Sequence, residues 1–300
     1  MFNPGMFDAN GMHRHLGTNI AFRGRLRRLE QLERYFRKKC IRAGIEYSYD
    51  CTADENTYFK TINYTSYAGL FMMQPLCISH GMFQMFDAKA DNMKDAGHID
   101  WILENLKNKQ GGKYTDGTGK ELKKSDLAKD GFTALLVLPG SNKIYQHTST
   151  RKLKHIIKQY GKHLVIKPHP LTKADVLADL EKVQGKALIA DKHSDLYDLM
   201  ERSKKVFTTH ISETALTGLL LGKKVSPMEV FGRRHIGAFA HINHFCFSEP
   251  DPIPVIKKIF ASPKSGIVHP DIDENWQKKI DDYFEYSMTL RDIQKDHYLE

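Results

Sequence analysis

Leu164-Val165-Ile166-Lys167-Pro168-His169-Pro170 is a short apolar run that stops at a histidine held between two prolines. The run from His163 to Ile166 predicts a buried strand, and the breakers behind it predict a loop. Proline fixes its own φ and pushes the residue before it toward extended backbone, so His169 sits on a stiff loop. A stiff loop just past a strand suits a phosphate-binding imidazole or a general acid/base. By itself the motif is equally a turn with an incidental histidine, and its neighbours decide.

Those neighbours alternate. Upstream, Phe132 to Leu138 predicts an apolar strand followed by Pro139-Gly140-Ser141, and Thr150 to Tyr160 predicts a helix. Downstream come helix Lys173 to Gln184, strand Ala187 to Ala190 and helix Asp195 to Arg202. Strand Val206 to Thr209 and helix Glu213 to Leu221 follow, and Lys224-Val225 opens a further strand. Strands alternating with helices form a parallel sheet with right-handed crossovers, a Rossmann-like α/β unit. Ligands of such sheets bind beyond the carboxyl ends of the strands. Gly140-Ser141, Lys167 to Pro170 and Thr208 to Thr214 all fall there. The segment Thr208-Thr209-His210-Ile211-Ser212-Glu213-Thr214 leads into a helix, whose free N–H groups suit a phosphate. Ser212 is equally an ordinary helix N-cap, and the two roles are compatible.

The first 130 residues read differently. Residues 1–22 hold Gly, Asn and His without periodicity, and Asp8 and His13 lie among them. From Arg23 to Ala43, Leu26, Leu29, Leu32, Tyr35, Phe36 and Cys40 recur at helical spacing. The other positions carry Arg23, Arg25, Arg27, Arg28, Arg34, Arg37, Lys38, Lys39 and Arg42 against Glu30 and Glu33 only. That one-signed face is either solvated or laid on a phosphate backbone. Ile45 to Tyr49, Thr57 to Ile62 and Leu76 to Ser79 predict strands, the last ending in His80-Gly81. Asp87 to Leu106 predicts a helix, residues 107–131 a Lys/Gly/Asp-rich linker, and Asn275 to Asp296 a closing helix.

The bulk properties bound the class. A hydrophobic fraction of 41% with 27% charged residues is that of an ordinary globular chain and excludes fibrous and disordered classes. No apolar run approaches the roughly 20 residues of a membrane span. The start lacks the basic and apolar regions of a signal peptide, so the expected location is the cytoplasm, the host's if the chain is phage-encoded. Cys40, Cys51, Cys77 and Cys246 are scattered, with no Cys-x-x-Cys for zinc and no disulfide framework, so no metal is expected. A net charge of +9 favours polyanionic partners.

Taken together, His80-Gly81, Lys167 to Pro170, Thr208 to Ser212 and Gly222-Lys223-Lys224-Val225 resemble GT-B glycosyltransferases of the capsule-polysaccharide type and, more distantly, teichoic-acid glycerophosphotransferases. The match is good over residues 130–230 and thin before them. It implies a GT-B-like pair of Rossmann-like domains, the first reduced, at residues 1–125, and the second, nucleotide-sugar-binding, at 130–272. The helix from 275 to 300 would return to the first. It implies that Gly140, Ser141, Lys167, His169, Thr208, Thr209, Ser212, Glu213 and Thr214 hold the donor. UDP-sugars are preferred, with CMP- or CDP-linked donors as alternatives and no further cofactor required. The helical Glu of that family, five positions before the Gly, is Thr217 here, and Glu213 is the possible substitute. His80, Asp8, His13 and Asp87 are the candidates for general base. A compact basic form is also similar to the bacteriophage enzymes that glycosylate hydroxymethylated DNA bases, which makes duplex DNA the preferred acceptor, read by Arg23, Arg25, Arg27 and Arg28. A capsular or cell-wall glycan is the alternative acceptor, glycerophosphate transfer the alternative reaction, and a non-catalytic nucleic-acid-binding role the other class. The oligomeric state is left open.

Overall fold

The structure is a computed structural model that describes residues 31–32, 34–44, 46–47, 57–64, 71–75, 78–107, 131–140, 148–170, 172–232 and 240–295. The chain divides into two compact units, one of residues 1–113 with 251–300 and one of residues 114–250. The boundary at 250 corrects the expected one at 272, because the segment that follows supplies a helix and a strand to the first unit.

The second unit is the predicted parallel sheet. Its strands are β4 (Ala134–Val137), β5 (Leu164–Lys167), β6 (Leu188–Ile189), β7 (Lys205–Thr208) and β8 (Lys224–Pro227), in spatial order β6-β5-β4-β7-β8 with every pair parallel. Apolar side chains face both ways, as a parallel sheet covered on both sides requires. Leu136, Ile166 and Phe207 join one core with Leu153, Ile156 and Ile157 of α4 (Thr150–Tyr160) and Val176 and Leu180 of α5 (Ala174–Val183). Leu135, Val165 and Val206 join the other with Leu199 and Met200 of α6 (Leu196–Arg202). Helix α7 (Thr214–Leu220) lies on that second side, since a Cβ on Gly218 would stand 3.1 Å from Val225 and 3.6 Å from Val206. The chain thus winds outward from β4 to β6, returns to β7 beside β4, and winds the other way. Ser149 caps α4 by accepting from Lys152 N at 3.3 Å, and Asp195 caps α6 by accepting from Tyr197 N at 2.9 Å. Helix α8 (Ala240–Ser248) completes the unit.

The first unit carries a mixed sheet of β1 (Glu46–Tyr47), β2 (Thr57–Tyr64), β3 (Phe71–Pro75) and β9 (Ile267–Val268), in that order. β1 and β2 are parallel, whereas β2–β3 and β3–β9 are antiparallel. The expectation of a second Rossmann-like sheet is not met among the described residues. Tyr64 pairs with Phe71, and so short a connection returns the chain antiparallel, whereas a parallel neighbour needs a crossover of about a dozen residues. Around this sheet lie α1 (residues 34–42), α2 (Ile78–Ala90), α3 (His98–Lys107), α9 (Pro252–Ala261) and α10 (Trp276–Lys295). Leu32, Phe36 and Cys40 are buried at helical spacing, while Arg34, Arg37, Lys38 and Arg42 are exposed, as the amphipathic reading predicts. Phe36 meets Phe284 of α10 edge-on at 6.1 Å, and Lys39 pairs with Asp281 at 2.7 Å. Arg23 to Glu30 lie outside the described residues.

Two expectations fail here. Ile78 and Ser79 open helix α2 instead of ending a strand, so His80-Gly81 falls in a first helical turn. The expected helix from Asp87 to Leu106 is two helices, α2 and α3, parted at residues 91–97, with Gly97 at φ 78. No helix among the described residues is long and apolar enough to cross a membrane.

Candidate functional site

The strand order places a topological switch point between β4 and β7, where the windings diverge and a crevice opens beyond the strand ends. Gly140 lies beyond β4, Thr208 ends β7 and Thr209 follows it, so these expected donor residues flank one switch point. Ser141 lies outside the described residues.

The end of β7 is unusually rich in unsatisfied polar atoms. Thr208 and Thr209 are fully buried, and neither Oγ1 makes a hydrogen bond. Met228 N donates to Thr208 O at 2.8 Å and Ser149 N to Met228 O at 3.5 Å, which brings the neighbouring Thr148 to the same end of the sheet. Thr148 Oγ1 is also buried and unsatisfied, as is Oδ1 of Asn243 on α8. Folded proteins leave few such atoms, and each calls for a partner the chain does not supply, an ordered water or a ligand.

Sequence reasoning missed Glu229. It follows β8, and its Oε1 accepts from His210 N at 2.7 Å and faces His210 Nδ1 at 3.0 Å. Both residues are buried. The rings of Phe231 and Phe247 lie 5.1 and 4.8 Å from the His210 ring. Asn243 Nδ2 donates to His210 O and Ser212 O, each at 2.6 Å, and fixes the turn. A carboxylate just past the strand that follows β7 was the available signal, since consecutive strands in such a sheet are neighbours about two-thirds of the time. Lys152, in the first turn of α4, has its pKa lowered by burial while the Glu229 carboxylate acts against that shift.

The remaining donor candidates divide. His169 is half-buried, and its carbonyl accepts from Thr172 N at 2.8 Å, closing the loop after β5. Ser212 is not the N-cap of α7. Glu213 holds that position without a side-chain cap, while Ser212 Oγ accepts from Thr214 N at 3.3 Å and donates to Thr214 Oγ1 at 2.8 Å. Lys167, expected to contact phosphate, is bonded within the protein. It is 3% exposed, and its Nζ donates to Pro168 O at 2.8 Å and Lys192 O at 2.7 Å. Burial lowers its pKa to about 8, with Asp191 and Asp195 acting against the shift.

The general-base candidates belong to the first unit. His80 and Asp87 share helix α2, two turns apart, with Asp87 exposed. Asp8 and His13, like the acceptor candidates Arg23, Arg25, Arg27 and Arg28, lie outside the described residues. No group of three or more metal-ligating side chains occurs among the described residues.

The second unit is thus a doubly wound, Rossmann-like α/β unit with a polar switch point. No family model, no curated protein and no solved structure matches the chain.

Proposed function

We propose that the protein is a nucleotide-sugar-dependent glycosyltransferase, with the parallel-sheet unit serving as the donor half of a GT-B-like enzyme. The observation that carries this reading is the β4–β7 switch point, with the buried, unsatisfied hydroxyls of Thr208 and Thr209 at the end of one of its two strands. Nucleotides bind doubly wound sheets at that position. The resemblance at Lys167 to Pro170 and Thr208 to Ser212 supports the same end of the sheet. In this reading His169 meets the donor's diphosphate, and the charge that develops on the leaving phosphate is stabilised by His169 and backbone N–H groups. The acceptor hydroxyl attacks the anomeric carbon, and a base among His80, Asp87, Asp8 and His13 takes its proton.

The acceptor we favour is a hydroxymethylated base of duplex DNA, which must be extruded from the stack to be reached. The exposed basic residues Arg34, Lys38 and Arg42 of α1 support a polyanion. They equally suit an anionic capsular or cell-wall acceptor, and they are what a non-catalytic nucleic-acid-binding protein would display.

Thermal-shift measurements with UDP, CMP and CDP test the core of this reading. UDP should stabilise the protein, and His169→Ala should abolish the shift without unfolding the chain. Stabilisation by none of the three removes the glycosyltransferase and leaves the binding protein. Duplex binding across salt concentration separates DNA from glycan, since phosphate contacts give a steep salt slope. Absence of duplex binding at low salt removes the DNA acceptor.

A further inference from the structure

We propose that Lys167 and Lys192 are positioning residues for His169, lacing the loop after β5 to the loop after β6, and that Lys167 does not touch the ligand. The proposal rests on the glycosyltransferase reading only for what His169 would hold.

The geometry runs in a ring. Lys167 ends β5, yet its Nζ turns to the carbonyl of Pro168, the next residue, and to the carbonyl of Lys192 beyond β6. Lys192 returns the contact, its Nζ reaching Thr172 O at 3.5 Å. Thr172 N then closes the loop on His169 O at 2.8 Å. His169 is therefore spanned by bonds on both sides. Pro168 O is tied before it and Thr172 after it, and both ties lead to the same loop. That second loop is itself fixed, since Ala190 N donates to Ile166 O at 2.8 Å and His193 N to Asp191 Oδ1 at 2.7 Å.

The ring leaves Lys167 little to offer a ligand phosphate. Two of the three ammonium N–H groups are committed to carbonyls, and the side chain is buried. Turning the ammonium toward a ligand would lengthen or break those two bonds, and a carbonyl that loses its donor is costly. The proline that follows Lys167 adds a reason for the lysine. Pro168 has no N–H, so this stretch of loop has one backbone donor fewer for cross-bonding, and a side-chain donor takes its place.

The test is NMR on the full chain, comparing wild type with Lys167→Met and Lys192→Met. Thr172 amide exchange, the His169 ring titration and UDP binding are read together. In Lys167→Met the Thr172 amide should exchange about 10-fold faster or more, as expected when a local opening loses a cross-link, with the amide of Val206 unchanged. The His169 titration midpoint should move and UDP affinity should fall. A folded Lys167→Met chain with wild-type Thr172 exchange and His169 titration overturns the proposal. If Lys167→Met does not fold, Lys192→Met decides, since it leaves β5 intact and removes only the tie to Thr172. A roughly threefold faster Thr172 exchange then supports the ring, and an unchanged rate overturns it. Failure of UDP to bind wild type removes the glycosyltransferase reading, while the exchange rates still decide the lacing.

Discussion

Asp273→Asn tests the energetics of the first unit most directly. Asp273 is buried between three donors. Its Oδ2 accepts from His269 N at 2.7 Å and lies 3.3 Å from His98 Nε2, and its Oδ1 pairs with Lys279 Nζ at 3.0 Å. Burial alone would raise its pKa, but the His98 hydrogen bond, the Lys279 ammonium and the His269 N–H hold it at about 2. A carboxylate held roughly two units below its usual value contributes on the order of 2 kcal/mol at neutral pH. The sign is that of a depressed acid, so this stability is present above the ordinary carboxylate pKa and is lost as pH falls toward about 2. The asparagine also leaves the Lys279 ammonium buried without its counter-ion, a situation that costs about 3–5 kcal/mol where one partner of a buried pair is removed. These effects describe one interaction and are not summed, so the expected loss is about 3 kcal/mol. Burial already lowers the Lys279 pKa, and Asp273 opposes that shift, so the variant's deficit should shrink as rising pH neutralises Lys279. The assay is urea unfolding followed by tryptophan fluorescence. Trp101 and Trp276, the only tryptophans, both belong to the first unit, and the Trp101 ring lies 4.1 Å from that of His269. A variant within about 0.5 kcal/mol of wild type at neutral pH, or one that keeps the acid limb, would refute the argument.

Two further outcomes follow from the packing. Gly218→Ala should lose about 1 kcal/mol in chemical unfolding followed by circular dichroism, because the new methyl meets Val225 at 3.1 Å and overpacking outweighs the helix-propensity gain. A stabilised variant would mean that α7 can move away from the sheet at little cost. Cys40 and Cys246 should resist iodoacetamide in the native protein at mild alkaline pH and react fully in denaturant, since both are buried and burial pushes the Cys40 thiol up to about 12 and raises Cys246 further. Peptide mapping reads each site, and native labelling of either contradicts its burial.

The parallel sheet was legible because its central strands β4 and β5 belong to continuous apolar runs flanked by breakers, the pattern that burial on both faces demands. The order of those strands was not, since no local pattern states which edge a returning chain joins. The run at Leu76 to Ser79 misled because four residues with apolar members suit either a strand or a helix turn. Residues further along decide for the helix, where Gln84 bonds Ser287 and accepts from Tyr283 OH at 3.1 Å, partners far away in sequence. Lys167 read as a ligand contact because a basic residue in a loop motif ordinarily faces solvent, and its burial depends on a loop 25 residues on. Thr208 and Thr209 could be placed at a strand end from the sequence, because an apolar run precedes them and helix formers follow. Glu229 was missed because Pro227-Met228-Glu229 carries no motif, and its role comes from β8 lying beside β7.

The register of Phe71 with Val268 sets an order of events during synthesis. The edge of β3 emerges from the ribosome long before its partner strand exists. At about 5–20 residues per second the wait is on the order of ten seconds or more, ample for the intervening parallel-sheet unit to collapse. An unpaired strand edge is a template for wrong partners over that interval. The first unit can close only after the segment beyond residue 250 is made, so chains truncated near residue 250 should leave this edge open and be the ones that aggregate or are captured by chaperones.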